Sequence, residues 1–292
     1  MNTFRGTGVA VITPFNSDKS IDIPAIARIT THLIGGKVDY LVVLGSTGEA
    51  ATLSQAEKET VIEAYIAATK GEIPIVLGCG GNNTQEVCEN IAFFTEKYGH
   101  QIAGFLSVSP AYNKPSQEGI FQHFKAVAAC TNKPIIIYNV PGRTGSNILA
   151  HTTIRIAQEI ENIVAIKESS GNLEQMMEII HHRPAGFSVI SGDDWITLPL
   201  IAAGGDGLIS VVAHAAPDKV SNMVRAALAN DFQTAKSLHY DLWELMNMAF
   251  AEGNPMSIKT LLEIKGICGR SVRLPLVEGT ADLVEKMRKM KF

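Results

Sequence analysis

Residues 40–65 read YLVVLGSTGEAATLSQAEKETVIEAY, one complete strand, turn and helix. The run 40–44 is apolar at consecutive rather than alternate positions, as expected of a strand covered on both faces, and parallel sheets are built from such strands. It empties into Gly45-Ser46-Thr47-Gly48-Glu49, a turn with little steric restriction. Ser54 and Glu57 then stand at capping-box spacing, each side chain placed to satisfy the other's backbone N–H. Val61, Ile62 and Tyr65 share one side of the helix that follows.

The same unit recurs along the chain. Apolar runs at 9–13, 40–44, 74–78, 104–108, 134–138, 163–166, 187–190 and 207–211 make eight expected strands, with helical patterns between them. Asp22 and Pro24 offer an N-cap and a first-turn proline to a helix whose Ile26, Ile29, Leu33 and Ile34 share a face and which Gly35 and Gly36 stop. Asn83 with Glu86 predicts a second capping box. Eight alternations without a long break predict an α/β fold, a closed (β/α)8 TIM barrel. An open doubly wound sheet usually has fewer strands and a nucleotide crevice. Beyond residue 230 the strands stop, and 234–250, 256–267 and 280–291 read as three helices. The expected organisation is a catalytic barrel over 1–229 and a three-helix C-terminal extension over 230–292, with no low-complexity linker between them.

Composition narrows the function classes. The chain has 292 residues, 46% hydrophobic and 18% charged, enough for one large core. A formal charge of −4 supplies no basic footprint for nucleic acid or an anionic membrane, so a small-molecule partner is expected. Cys79, Cys88, Cys130 and Cys268 show neither a CxxC nor metal-ligand spacing, which fits reduced thiols in a cytoplasmic protein. The N-terminal apolar run, broken by Thr13 and Pro14, is too short for a signal peptide or a membrane span. The run from Gly78 to Asn83 lacks the last glycine of a dinucleotide fingerprint, and there is no P-loop. His181 and His182, beside Arg183, read as a helix end rather than a metal pair. No cofactor and no metal are expected.

Active sites of such barrels lie at the C-terminal ends of the strands. Lys167 ends the run 163–166, where desolvation favours a neutral, nucleophilic amine; the alternative is a lysine that has left the strand for solvent. Tyr138, one strand earlier, is either a proton shuttle over the same pocket or a core aromatic. The Gly45–Glu49 turn offers hydroxyls and free N–H groups to a carboxylate, or is a plain βα turn bonded to its own hydroxyls. Arg143, in a loop between glycines, either grips a carboxylate with both arms of its fork or is solvated.

Taken together these residues resemble the pyruvate-dependent class I lyases, the family that includes the dihydrodipicolinate synthases and N-acetylneuraminate lyase, over nearly the whole chain. Ser46, Thr47, Glu49, Tyr138 and Lys167 carry the superfamily pattern. Residues 138–145 (YNVPGRTG), 112–119 (YNKPSQEG) and Ser191-Gly192-Asp193-Asp194 look like the synthase branch. The resemblance implies condensation of pyruvate with L-aspartate 4-semialdehyde to 4-hydroxy-tetrahydrodipicolinate, toward diaminopimelate and lysine, through a Schiff base on Lys167 and without a cofactor.

It further implies that Tyr138 moves protons, relayed through Ser46 and through Tyr112 from a neighbouring subunit. Thr47 holds the pyruvate carboxylate near the Ile209 backbone, Arg143 receives the semialdehyde's carboxylate, and Gly192 leaves room for substrate. The implied assembly is a homotetramer, a dimer of dimers. The runner-up is another pyruvate lyase, acting on N-acetylneuraminate or a 2-keto-3-deoxy sugar acid; Arg143 argues against it, because polyols are read by hydroxyl-bearing pockets. A silent barrel that senses a keto acid has no need of Lys167 and Tyr138 together. Ser46 stands where the best-known members have threonine, and Ala111 where many have an interface tyrosine. Asn82 and Glu86 keep the pattern of lysine-inhibited members, but Ala50, Gln55, Lys58 and Ala111 depart from it, which predicts weak or absent inhibition by lysine.

Overall fold

In the computed structural model, which describes residues 4–290, the apolar runs pair edge to edge in chain order and the last returns to the first. The strands are β1 (Gly6–Ala10), β2 (Tyr40–Val43), β3 (Ile75–Gly78), β4 (Gly104–Val108), β5 (Ile135–Asn139), β6 (Ile163–Glu168), β7 (Ser188–Ser191) and β8 (Gly207–Ser210). All pairings are parallel, and closure is made by β1 against β8, with Gly6 opposite Gly207 and Gly8 opposite Ile209. Closure leaves no free sheet edge, and each strand is covered outside by helices and inside by its neighbours' side chains.

The helices of the barrel are α1 (Ile23–Gly35), α2 (Gln55–Thr69), α3 (Thr84–Tyr98), α4 (Gln117–Ala128), α5 (Pro141–Thr144), α6 (Ala150–Glu159), α7 (Leu173–His182), α8 (Thr197–Ala202) and α9 (Pro217–Leu228). The chain ends in α10 (Phe232–Asp241), α11 (Trp243–Phe250), α12 (Met256–Ile264) and α13 (Ala281–Arg288). Asp22 Oδ1 accepts from Ala25 N–H at 2.9 Å, and Ser54 and Glu57 complete their capping box. Asn83 caps α3 differently from the expected box: its short side chain accepts from Gln85 N–H at 3.1 Å, one residue earlier than a box requires, and Glu86 is exposed.

Two boundaries differ from the sequence reading in informative ways. The first strand begins and ends three residues early. Val11 N–H still bonds to Val42 carbonyl at 3.0 Å, but beyond it the chain is buried under loops instead of in the ladder: Ile12 N–H is bonded to His214 Nε2, Ile12 carbonyl accepts from the Tyr65 hydroxyl, and Thr13 Oγ1 donates to Gly48 carbonyl. The expected helix 234–250 is two helices, because the backbone tightens at Leu242, whose N–H is shared between the Leu238 and Tyr240 carbonyls. Four helices, not three, therefore follow α9 among the described residues, and residue 291 lies outside them.

The barrel interior is a compact apolar stack that includes Phe4, Tyr40, Val42, Val76, Leu106, Ile136, Ile190 and Ile209, with Tyr138 and Val140 nearer the mouth. Gly8 makes the stack possible, since a Cβ there would lie 2.3 Å from the Tyr40 ring. This filling turns the barrel into a platform and confines any ligand to the mouth.

Candidate active site

The two strand-end residues singled out from sequence are neighbours in the ladder: Tyr138 on β5 is the register partner of Lys167 on β6. Lys167 lies within the strand, one residue before its end, and is 5% exposed. Its ammonium sits 4.3 Å from the centroid of the Tyr138 ring, an orientation in which the ring's negative face attracts the cation. Among the described residues no carboxylate pairs with it.

Strand alternation explains how a glutamate can follow that lysine. Successive side chains point to opposite faces, so Glu168 turns away from the mouth into a buried network. Asn139 Nδ2 donates to both its oxygens at 3.1 and 3.0 Å, Ser170 N–H donates at 2.7 Å and Gln175 Nε2 at 3.0 Å. Burial pushes the Glu168 carboxyl up from the usual range, and these donors oppose the push. The network pins the β5 and β6 ends in register, and with them Tyr138 and Lys167.

Gly192, just past β7, has a sharper role than leaving room for substrate. A Cβ there would fall 2.0 Å from Ser169 Oγ and 2.7 Å from Lys167 Cε, so the missing side chain is space for the Ser169 hydroxyl and the lysine stem. Next to it Asp194 is fully buried, accepting from Ser210 Oγ at 2.5 Å and Val211 N–H at 3.2 Å. Burial pushes its carboxyl up to about 6.

A cavity of about 610 Å³ opens over this pair, lined among others by Ser46, Thr47, Tyr138, Arg143, Lys167 and Gly192. Ser46 to Gly48 form a single 3₁₀ turn closed by Gly48 N–H to Gly45 carbonyl at 3.0 Å, with Glu49 left-handed at φ 53°. Within it Ser46 is exposed and Thr47 is buried. Arg143 lies exposed on α5 at the rim.

Two of the expected residues stand apart. Tyr112 does not line the cavity; it is 87% exposed, left-handed at φ 69°, with its N–H bonded to Thr144 carbonyl at 2.9 Å. Ile209 is buried in the barrel interior beneath the mouth, so its side chain packs in the core. His181 and His182 occupy the last turn of α7, and no cluster of three metal-ligating side chains exists among the described residues.

The sequence reading missed the far end of the chain. Asn254 Nδ2 donates to Thr47 Oγ1 at 2.8 Å. Lys259, in the middle of α12 and fully buried, donates to Glu49 Oε1 at 2.5 Å and to Ser271 carbonyl at 2.8 Å. Arg273 N–H donates to Glu49 Oε2 at 3.0 Å. One signal was available: Lys259 sits between Ile258 and Leu261 on an apolar helix face, where an unpaired charge costs too much to persist.

A buried lysine against a tyrosine on adjacent strands, at the C-terminal mouth of a closed (β/α)8 barrel, is the layout of a pyruvate-dependent class I lyase. The chain belongs, more narrowly, to the dihydrodipicolinate synthetase family, whose model matches residues 3–291. It is 48% identical over 286 residues to the 4-hydroxy-tetrahydrodipicolinate synthase of Parabacteroides distasonis, covering 98% of this chain and 95% of that one. Identity to the synthase of Flavobacterium psychrophilum is also 48%, over 98% of this chain and 97% of the relative. Among solved structures, dihydrodipicolinate synthase from Aquifex aeolicus superposes with a TM-score of 0.93 at 40% identity, covering 98% of this chain and 96% of that one.

Proposed function

We propose that this chain condenses pyruvate with L-aspartate 4-semialdehyde to give 4-hydroxy-tetrahydrodipicolinate. The observation that carries the reading is the buried Lys167 ammonium held 4.3 Å from the Tyr138 ring at the floor of the mouth, in a chain of this family. Lys167 Nζ attacks the ketone carbon of pyruvate, and the carbinolamine loses water to leave an imine. The protonated imine draws electrons from the methyl group, which loses a proton and becomes the enamine nucleophile. Its attack on the aldehyde carbon forms the new C–C bond, and the semialdehyde's own amine then displaces Lys167 and closes the ring.

In this reading Tyr138 gives and takes the protons of the carbinolamine, through Ser46 and through Tyr112 of the partner subunit. The exposure of Tyr112 on an isolated chain supports a tyrosine that serves a neighbour's site. Thr47 holds the pyruvate carboxylate with help from the Ile209 backbone, Arg143 receives the carboxylate of the semialdehyde, and Gly192 keeps the lysine stem in place. The assembly is a homotetramer of two tight dimers acting in the cytoplasm; no helix among the described residues is long and apolar enough to cross a membrane. Residues 1–229 form the catalytic barrel and 230–292 the helical extension. Inhibition by L-lysine is weak or absent: Ala50 and Lys58 are among the residues lining the same cavity, where Lys58 sets a cation against an incoming ammonium.

The test is turnover with pyruvate and L-aspartate 4-semialdehyde beside cleavage of N-acetylneuraminate and a 2-keto-3-deoxy sugar acid. Turnover of the first pair alone is expected. Preferential cleavage of either sugar acid would overturn the reading.

A further inference from the structure

Thr47 receives one hydrogen bond, and the direction of that bond matters. A hydroxyl has one proton to give and two positions at which to accept. Asn254 Nδ2 donates into Thr47 Oγ1 at 2.8 Å, so the bond leaves the hydroxyl proton unused. Among the described residues Thr47 Oγ1 donates to no other group. Among the described residues Asn254 Oδ1 is buried without a partner, and the amide's only bond is this donation. Both residues line the cavity over Lys167.

The amide also has a firm mount. Asn254 directly precedes Pro255 and α12, whose Lys259 is locked to Glu49 in the same turn that carries Thr47. Donor and acceptor are therefore held from two points of one helix start, although 207 residues separate them.

We propose that Asn254 is a positioning residue: by donating to Thr47 Oγ1 it obliges the threonine proton to point into the cavity, toward the carboxylate of the keto acid. The inference rests on Thr47 being the seat of that carboxylate. An amide presenting its oxygen instead would take the proton, leaving Thr47 two lone pairs with which to repel an anion. Asn254 thus tunes affinity for the first substrate and has no part in binding the second.

Asn254→Asp has the same shape but exchanges the donor for a charged acceptor, whereas Asn254→Ala removes the amide and lets the hydroxyl turn freely. The pyruvate KM is expected to rise roughly ten- to a hundredfold in Asn254→Asp, the worth of a charge-assisted hydrogen bond, and only a few-fold in Asn254→Ala. The KM for the semialdehyde and kcat stay near wild type in both. Half-saturation by pyruvate in borohydride trapping, read without turnover, should follow the same order. An equal rise for both substrates, or a larger effect of alanine than of aspartate, overturns the proposal. If the aspartate variant does not fold, Asn254→Leu is the second arm: a few-fold rise in pyruvate KM alone is expected, and a matching loss for the semialdehyde overturns the assignment. Thr47→Val separates the two readings. If it leaves the pyruvate KM unchanged, Thr47 is not the seat and the underlying reading fails; if it raises that KM while Asn254→Asp does not, only the positioning role fails.

Discussion

Among the described residues Lys167 is buried without a carboxylate partner, with the centroid of the Tyr138 ring at 4.3 Å and Gly192 leaving space for its stem. A phenol on the adjacent strand at the same mouth is placed to exchange protons with a carbinolamine on Lys167, and a positioned acid or base is worth on the order of 10² to 10⁴ in rate. Tyr138→Phe retains the ring and the packing while removing only the hydroxyl, so kcat should fall by a factor in that range with little change in thermal stability. Near-normal turnover would make Tyr138 a packing residue. That Lys167, Tyr138, Thr47 and Arg143 line the mouth was legible in the sequence because each sits at the end of a strand or in the short turn or helix that follows, and strand ends can be read locally. Asn254 was not, since its partner is 207 residues away and nothing local distinguishes an asparagine before a proline at a helix start from a capping residue.

At the level of elements, the Ser46–Gly48 turn hangs between β2 and α12. The Glu49 and Lys259 side chains are 1% and 0% exposed, so removing one partner strands a charge in the interior. Lys259→Met alone should cost about 3 to 5 kcal/mol. Adding Glu49→Gln, which retains an acceptor for Arg273 N–H, should restore much of that loss. Urea unfolding of the two single variants and the double variant checks this, and additive losses would show that the two side chains do not act as a pair. The repeated strand and helix were readable because parallel strands buried on both faces announce themselves as unbroken apolar runs. Their edges were less so: residues 11–13 are as apolar as any strand, yet they are covered by His214, Tyr65 and the Gly48 turn, and only the fold places those groups there. The break at Leu242 likewise follows from a local tightening that an amphipathic pattern does not encode.

Across the whole molecule, buried titratable groups decide the response to acid. His214 is fully buried, with Nδ1 donating to Val211 carbonyl at 2.9 Å and Nε2 accepting from Ile12 N–H at 3.2 Å, so only the neutral ring fits. Burial pushes it down to about 4 from an ordinary 6.5, and His123 moves the same way. A base depressed in the folded state contributes stability that is complete above its unfolded value and lost as pH falls toward the folded one. Asp194, raised to about 6, works in the opposite sense, its contribution fading as pH rises from 3.8. Burial lowers the pKa of four histidines, His32, His123, His214 and His239, and raises that of three carboxyls, Asp193, Asp194 and Glu168; the histidines leave a net loss in acid, with His214 alone worth on the order of 2 kcal/mol at pH 5. The urea midpoint should therefore drop between pH 7 and pH 5; an unchanged or rising midpoint would mean that the buried carboxyls Asp193, Asp194 and Glu168 dominate. Regulation belongs to this scale as well. Initial rates should stay nearly constant under added L-lysine, and half-inhibition at submillimolar lysine would show that Lys58 and Ala50 do not abolish a regulatory site.

In the proposed reaction Lys167 forms an imine with pyruvate. Incubation with pyruvate and borohydride, followed by intact-mass and peptide analysis, should find one reduced adduct per chain on the peptide that contains Lys167, and none on Lys167→Ala. An adduct that forms on the alanine variant at the wild-type rate, or a wild-type chain that stays unmodified, would show that Lys167 is not the imine-forming residue.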